Sequence, residues 1–369
     1  MPLNFAYAPC ARPRRIAVLG STGFLGPYIV AALLRRDNQS EIVCLNRSTE
    51  GQERTLSALE QLGSGDFHPP RRLSFILTDI TNPKLDGSYV SDVDEVIFNA
   101  WSANWGIPLE SFGALLDAVR NVIQICATSP RRPRIIFMSS TCAIGDWPLM
   151  HPEQPLLPEE PAWDTASATE NGYGQSKCIA EQLLAGAHKQ HGLCVAIVRA
   201  GLIGGPSSGL GPLRWPVQGS LYVVIKTSQR LGTWPTYVNA LDWIPVDALA
   251  RGIAEITATD SSSHALRVYN MLHPDPAPWD LLYRTLKNRF GLCAKKVSLP
   301  AWLDSLTPET FKMHAFYRRA GVGREVASIA FHNQNALSAL PEIERITEQQ
   351  LGMWLQGWNL ALEKIDNRL

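Results

Sequence analysis

The sequence predicts an α/β protein: a doubly wound parallel sheet of the Rossmann type with a smaller, mostly helical C-terminal lobe. Three observations carry this reading. Between residues 14 and 200, short apolar runs alternate with stretches of helical spacing. The runs are nearly continuously apolar, as strands buried on both faces of a parallel sheet must be. The first run ends in glycine and opens straight into a glycine-spaced turn and a helix.

The elements follow in order. "RRIAVLG" (14–20) is the first strand, and "FLGPYIVAALLRR" (24–36) continues at helical spacing. "EIVCLN" (41–46) is the second strand, followed by a polar helical stretch and then a third strand, "RLSFILTDI" (72–80). "VDEVIFNA" (93–100) is the fourth. "PLESFGALLDAVRNVIQICA" (108–127) places apolar residues three and four apart and reads as a long helix. "RIIFMSS" (134–140) and "CVAIVRA" (194–200) are two further strands, with a helix that opens near Tyr173 between them. Right-handed crossovers then favour the doubly wound sheet.

The pattern changes after residue 204. "GGPSSGLGPLRWP" (204–216) is a Gly/Pro-rich loop, and the remainder reads as scattered helices with few strands. This divides the chain into a nucleotide-binding domain, 1–204, and a substrate lobe, 205–369, some of whose segments can return to the sheet. "TEQQLGMWLQGWNLALEKI" (347–365) opens on a T-x-x-Q capping box. It sets Leu351, Trp354, Leu355, Trp358, Leu362 and Ile365 on one helical face, which reads as core packing.

At 369 residues and 45% hydrophobic, the chain can bury a large core. Lys+Arg and Asp+Glu both number 34, so no strong global field draws nucleic acid or an anionic membrane. The basic clusters "ARPRR" (11–15) and "RRPR" (131–134) are short and read as solvated loop ends. No apolar run reaches the roughly 18 residues of a membrane span, and "MPLNFAYAPCARPRR" does not read as a signal peptide. Seven scattered cysteines without a C-x-x-C read as free thiols in a reducing cytoplasm. "HKQH" (188–191) has nothing near it to complete a metal site.

The cofactor end lies in "GSTGFLG" (20–26), comprising Gly20, Ser21, Thr22, Gly23, Phe24, Leu25 and Gly26. Glycines at this spacing let the backbone turn tightly and approach a pyrophosphate at the helix N-terminus. Where an acidic residue would read the ribose 2′-hydroxyl at the end of the second strand, this chain has Asn46, Arg47 and Ser48. A guanidinium there suits a 2′-phosphate, so NADPH is expected rather than NADH. Arg54 is a second candidate for that phosphate, and Asp79 and Ile80, ending the third strand, border the adenine.

The chemistry end lies in "ENGYGQSK" (170–177). A tyrosine of pKa about 10 is a poor acid at neutral pH. Lys177, one helical turn from Tyr173, would lower that pKa and hold the nicotinamide ribose. "MSSTCAIG" (138–145), after the fifth strand, supplies Thr141 to polarise a substrate oxygen, with Ser139 and Ser140 just before it.

On these residues the sequence resembles the extended short-chain dehydrogenases/reductases. Within them it is most similar to the terminal thioester reductase domains of fungal nonribosomal peptide synthetase-like enzymes, carboxylic acid and aminoadipate reductases, and some polyketide synthases. "GSTGFLG", "VCLNRS", "FNAWSANWGIPLESFGALLDAVRNV", "GYGQSKCIAEQLL", "VRAGLIGGP" and "LDWIPVDALA" carry the resemblance, over roughly 14–258. It implies Thr141, Tyr173 and Lys177 as the catalytic triad. Asn99, Ala100, Trp101 and Ser139 fall near the cofactor, and Ala200, Gly201 and Ile203 around the nicotinamide. Phe98 and Leu202 stand where relatives often carry histidine and glutamine, on the substrate side.

The implied activity is NADPH-dependent release of an acyl chain from a phosphopantetheine arm as an aldehyde, with further reduction to the alcohol left open. The implied partner is an acyl or peptidyl carrier domain, and the reductase itself is expected to be monomeric. A domain excised from a larger synthase and a free-standing reductase acting in trans both stay open. So do a dehydrogenase acting on a diffusible carbonyl and a non-redox cyclising release domain, although the latter tends to lose the tyrosine.

Overall fold

The computed structural model describes residues 12–63, 71–82, 87–208, 214–258, 265–307, 311, 314, 317–318 and 331–360. Its main sheet has seven strands: β1 (Arg15–Leu19), β2 (Glu41–Asn46), β3 (Leu73–Leu77), β4 (Glu95–Phe98), β5 (Arg134–Ser140), β6 (Val195–Ala200) and β7 (Leu266–Met271). All neighbours are parallel, in the order β7-β6-β5-β4-β1-β2-β3. This is the Rossmann order with a seventh strand added beside β6.

Alternation along each strand sends side chains to two cores. Ile16, Val18, Ile97 and Val198 face a cluster with Ile29 and Val30 of helix α1 (Gly26–Arg36). Ala17, Leu19, Val96 and Ile197 face the opposite cluster. There they meet Val119 and Val122 of α3 (Gly113–Thr128) and Leu184 of α4 (Gly172–His191). Helix α2 (Gly51–Leu62) packs beside α1, with Leu59 in the first cluster. The stretch expected as one helix over 108–127 begins as a 3-10 turn, Leu109–Phe112, and becomes α-helical only at Gly113.

The C-terminal third does not separate from the sheet at one point. Helix α5 (Gly219–Leu231) is in the second lobe, but α6 (Val246–Ala258) packs on α1. After α6 comes β7, the edge strand, and later α8 (Gln334–Ala339) closes over the same face. Between β7 and α8, helix α7 (Trp279–Phe290) belongs to the second lobe. That lobe's core is built on tryptophan: Trp215 stacks on Trp358 at 4.5 Å and packs against Trp354 and Trp243. Two of its indole N–H groups donate to backbone carbonyls, Trp215 to Ile203 (2.8 Å) and Trp354 to Pro206 (3.0 Å), whereas those of Trp234 and Trp302 are buried without a partner among the described residues. Of the predicted capping box at 347 the N-cap half forms, with Thr347 Oγ1 accepting from Gln350 N, while Gln350 Nε2 donates to Ser207 O. Helix α9 (Glu348–Leu355) nevertheless ends in a 3-10 turn at Gln356–Trp358, and Leu362 and Ile365 lie outside the described residues. Among the described residues, no helix is long and apolar enough to cross a membrane.

At the amino end of the sheet, Glu95 is fully buried between Arg14 (2.5 Å) and Arg134 (3.7 Å), and its Oε2 has no partner. Burial lifts its carboxyl from 4.5 to about 7, with the two arginines opposing the rise. A raised folded-state pKa means the native state holds this proton more tightly than the unfolded chain. Glu95's contribution is therefore fully present below pH 4.5 and lost as pH rises through about 7. Thermal melts across that window should show the parent losing stability relative to Glu95→Gln as pH rises. A parent that gains on the variant would contradict this assignment.

Candidate active site

The chain leaves β1 for α1 on one face and β4 for α3 on the other, which opens a crevice at the carboxyl ends of these two strands. Gly20 sits there with φ +87°, and a Cβ on it would lie 2.9 Å from Ala100 N. Asn99 Nδ2 donates to Gly20 O at 3.1 Å and fastens the two strand ends together. Gly23 is exposed, and the nearest atom to its missing Cβ is 3.8 Å away, so the turn presents bare backbone. Helix α1 has no side-chain cap and no acidic residue in its first turn. Its first N–H groups are thus left for an anion.

The predicted cofactor residues sort into two groups. Thr22, Gly23, Phe24, Arg47 and Ser48 are at least partly exposed around the crevice. Ser21 and Leu25 are buried supports. Ser21 Oγ donates to Asn46 Oδ1 (2.9 Å) and lies 3.1 Å from Thr55 Oγ1. Asn46 is buried, and its Nδ2 has no protein partner. Arg54 Nη2 donates to Thr22 O at 3.4 Å. The third strand stops at Leu77, so Asp79 and Ile80 lie beyond it. Asp79 is held below the usual carboxylate range, chiefly by hydrogen bonds from Thr81, with Arg47 adding its charge. An unpartnered amide at the end of β2, an uncapped helix start and a bare glycine turn fit a dinucleotide's ribose and phosphates. A cavity of about 710 Å³ adjoins this end, between the glycine turn, α2 and Arg214–Pro216. Tyr173 and Lys177 do not line it.

Tyr173 stands at the first turn of α4, where Asn171 caps the helix by accepting from Gly174 N at 2.8 Å. The glycines on either side make its position possible. A Cβ on Gly172 would lie 2.5 Å from Ile107 O, and one on Gly174 would lie 2.8 Å from Cys142 O. Backbone therefore meets backbone on both sides of Tyr173. Its ring stacks on Trp105 (6.1 Å, 16°) and tilts against Phe112.

Ser140, the last residue of β5, lies close enough to Tyr173 to oppose the rise in its pKa. Strand β5 runs through Ser140, so Ser139 and Ser140 point to opposite faces. Ser140 also caps the 3-10 turn Thr141–Ile144 by accepting from Cys142 N. Ser139 turns inward and donates to Glu181 Oε1 (2.5 Å), so its hydroxyl supports the site and does not face the cofactor.

Lys177 is 3% exposed. Its ammonium donates to Met138 O and lies 4.2 Å over the Trp101 ring and 4.7 Å over Phe137. Burial pulls its pKa well below the ordinary lysine value, with Glu181 opposing. Burial also lifts Tyr173 above the ordinary phenol range, with Cys142 adding and Ser140 opposing. Lys177 is not among the groups that shift Tyr173, and its ammonium is turned toward Met138 and the aromatic rings. Trp101 is likewise a support under α4, donating to Ser176 Oγ at 3.3 Å. Phe98, expected on the substrate side, is 2% exposed and packs on Phe137 and Trp101. Ala200 pairs in register with Ser140, which brings Gly201 and Ile203 to the same end of the sheet. Among the described residues, no group of three or more His, Cys, Asp or Glu side chains could hold a metal ion.

The family model described as "Male sterility protein", an NAD-binding family, matches residues 18–253. The chain is 26% identical to a carboxylic acid reductase of Neurospora crassa, over 95% of this chain and 36% of that protein. It thus spans about a third of that relative's length. Its fold is similar to the terminal R domain from the myxalamid PKS-NRPS biosynthetic pathway (TM-score 0.73, 23% identity, 94% of this chain and 90% of that one). A thiolation-reductase di-domain from an archaeal non-ribosomal peptide synthetase is similarly close (TM-score 0.74, 20% identity, 93% and 74%).

One turn beyond Lys177 on α4, Glu181 pairs with Arg199 of β6, and neither side chain is exposed. Arg199 Nε and Nη2 both reach the carboxylate, at 2.5–3.2 Å. Removing one partner leaves a buried charge alone, which costs about 3–5 kcal/mol, whereas an exposed pair contributes roughly 0–1 kcal/mol. Glu181→Ala should therefore lower the melting temperature far more than Asp117→Ala, which breaks the exposed pair with Arg120. Equal shifts would contradict the role given to Glu181.

Proposed function

The chain belongs to the NAD-binding family described as male sterility protein, and we propose that it is an NADPH-dependent reductase releasing a carrier-bound acyl thioester as an aldehyde. The observation that supports this reading is Tyr173 at the start of α4, with Ser140 of β5 beside it, at the carboxyl end of the sheet that also holds the glycine turn. The absence of a carboxylate at Asn46, Arg47 and Ser48 supports NADPH. Arg47, with Arg54 as a second donor, would take the 2′-phosphate. The nicotinamide, when bound, would supply hydride to the thioester carbonyl carbon.

Tyr173, kept neutral by its raised pKa, donates its proton to the oxygen on which charge develops. Ser140 holds that oxygen or the phenol as a second donor; we assign it the role first expected of Thr141. Lys177 would hold the nicotinamide ribose. The resulting hemithioacetal expels the thiol, leaving aldehyde and the free pantetheine arm. The relatives' multidomain makeup and the thiolation-reductase neighbour support a carrier domain as partner. The acyl site would lie between the sheet domain and the tryptophan lobe, near Ala200. The free thiols of Cys44, Cys126, Cys142 and Cys178 support a cytoplasmic setting.

The reading is checked by NADPH consumption with acyl-pantetheine thioesters against the matching free aldehydes. Turnover of aldehydes alone would favour a diffusible carbonyl substrate. Tyr173→Phe should reduce the rate by about 10²–10⁴-fold with NADPH affinity retained. Ser140→Ala should cost more than Thr141→Val; the reverse ranking would return the donor role to Thr141. Arg47→Ala should remove most of the preference for NADPH over NADH, about ten- to a hundred-fold. Equal affinities for the two cofactors in the unmutated protein would sink the NADPH assignment.

A further inference from the structure

The cavity beside the glycine turn has walls from both lobes. Thr22, Gly23 and Phe24 form the wall of the nucleotide domain, Arg54 is on the α2 side, and Arg214 and Pro216 come from the second lobe. Phe24 itself touches both the sheet core and the tryptophan core. The second lobe therefore lies over the start of α1.

Arg214 is held at its base but free at its tip. The next residue, Trp215, is 4% exposed, donates to Ile203 O and is packed among Trp243, Trp354 and Trp358. The stem of Arg214 lies against Gly357, whose added Cβ would be 3.5 Å from Arg214 Cδ. Its guanidinium is exposed and has no ion pair or hydrogen bond among the described residues. Glu50, the N-cap of α2, and Glu53, within that helix like Arg54, also border the cavity. The α2 wall thus carries carboxylates beside its cation, while the second-lobe wall carries an uncompensated one.

We infer that Arg214 reaches across from the second lobe to the pyrophosphate of the bound dinucleotide, opposite the bare turn at Thr22–Phe24. A guanidinium matches phosphate oxygens in fork geometry, and the uncapped start of α1 faces the same anion. Cofactor binding then bridges the two lobes through one ion contact. This inference rests on the dinucleotide reading above and assigns Arg54 and Arg214 to different phosphates.

The test is binding of NADPH and of NADH to the full chain, without turnover, for the parent, Arg214→Gln, Arg214→Lys and Arg54→Gln. Arg214→Gln should weaken both cofactors by the same factor, about ten- to a hundred-fold, with part of the affinity kept in Arg214→Lys. Arg54→Gln should weaken NADPH alone. Unchanged affinities in Arg214→Gln would overturn the inference. A loss confined to NADPH would overturn it by placing Arg214 on the 2′-phosphate. Phosphopantetheine is titrated in parallel; a loss confined to it would overturn the inference in favour of the carrier arm's phosphate. A parent that binds neither dinucleotide would defeat the cofactor reading, and this inference with it.

Discussion

The chemistry end of this protein depends on a buried ion pair. Taking Arg199 and Glu181 out of water is expensive, and their attraction offsets that cost only where every remaining donor and acceptor is satisfied. Here they are. The carboxylate also accepts from Ser139 Oγ and Ala162 N, and the guanidinium also donates to Pro158 O and Glu160 O. One interaction thereby ties α4 to β5, to β6 and to the 158–162 segment. That segment extends the chain of contacts outward. Glu159 accepts from Asn270 N on β7 and from Asn335 N and Ala336 N at the start of α8. The C-terminal part of the chain is thus fastened to the sheet edge through the loop that precedes the tyrosine.

With α4 pinned at Glu181, the turns before it place Lys177 and Tyr173 at the carboxyl end of the sheet, because positions four apart share a helical face. The final placement is made by glycine. At Gly172 and Gly174 the helix start lies directly on the backbone of 107–109 and on the Cys142 turn, too close for any side chain. Gly20 does the same at the other end of the crevice, against Asn99 and Ala100. Both ends of the site are therefore set by main-chain contact, which leaves little freedom in the distance between glycine turn and phenol.

Much of this was legible in the sequence, because parallel strands buried on both faces leave long apolar runs. β1, β2, β5 and β6 fall within a residue or so of their expected limits. β7 was missed because Arg267 and Asn270 interrupt "LRVYNM"; an edge strand can carry an exposed arginine, and Asn270 is buried by bonding three carbonyls. The inward turn of Ser139 onto Glu181 was not legible either, because Glu181 reaches it from a helix 42 residues further on. The environment of Lys177 was not legible at all. Trp101 follows β4 and Phe137 lies within β5, and only folding brings them under its ammonium. Ser21 and Leu25 show the converse: a ligand-binding turn also contains residues whose side chains serve the protein beneath it.

The central claim is that hydride reaches a carbonyl carbon held at Tyr173. NADPH deuterated at the transferable position of its nicotinamide tests it directly, with an acyl-pantetheine thioester as substrate. The account predicts an aldehyde carrying one deuterium at the former thioester carbon, and none when Tyr173→Phe is used over the same interval. An aldehyde or cyclised product released without deuterium, or labelling equal in the parent and Tyr173→Phe, would contradict it.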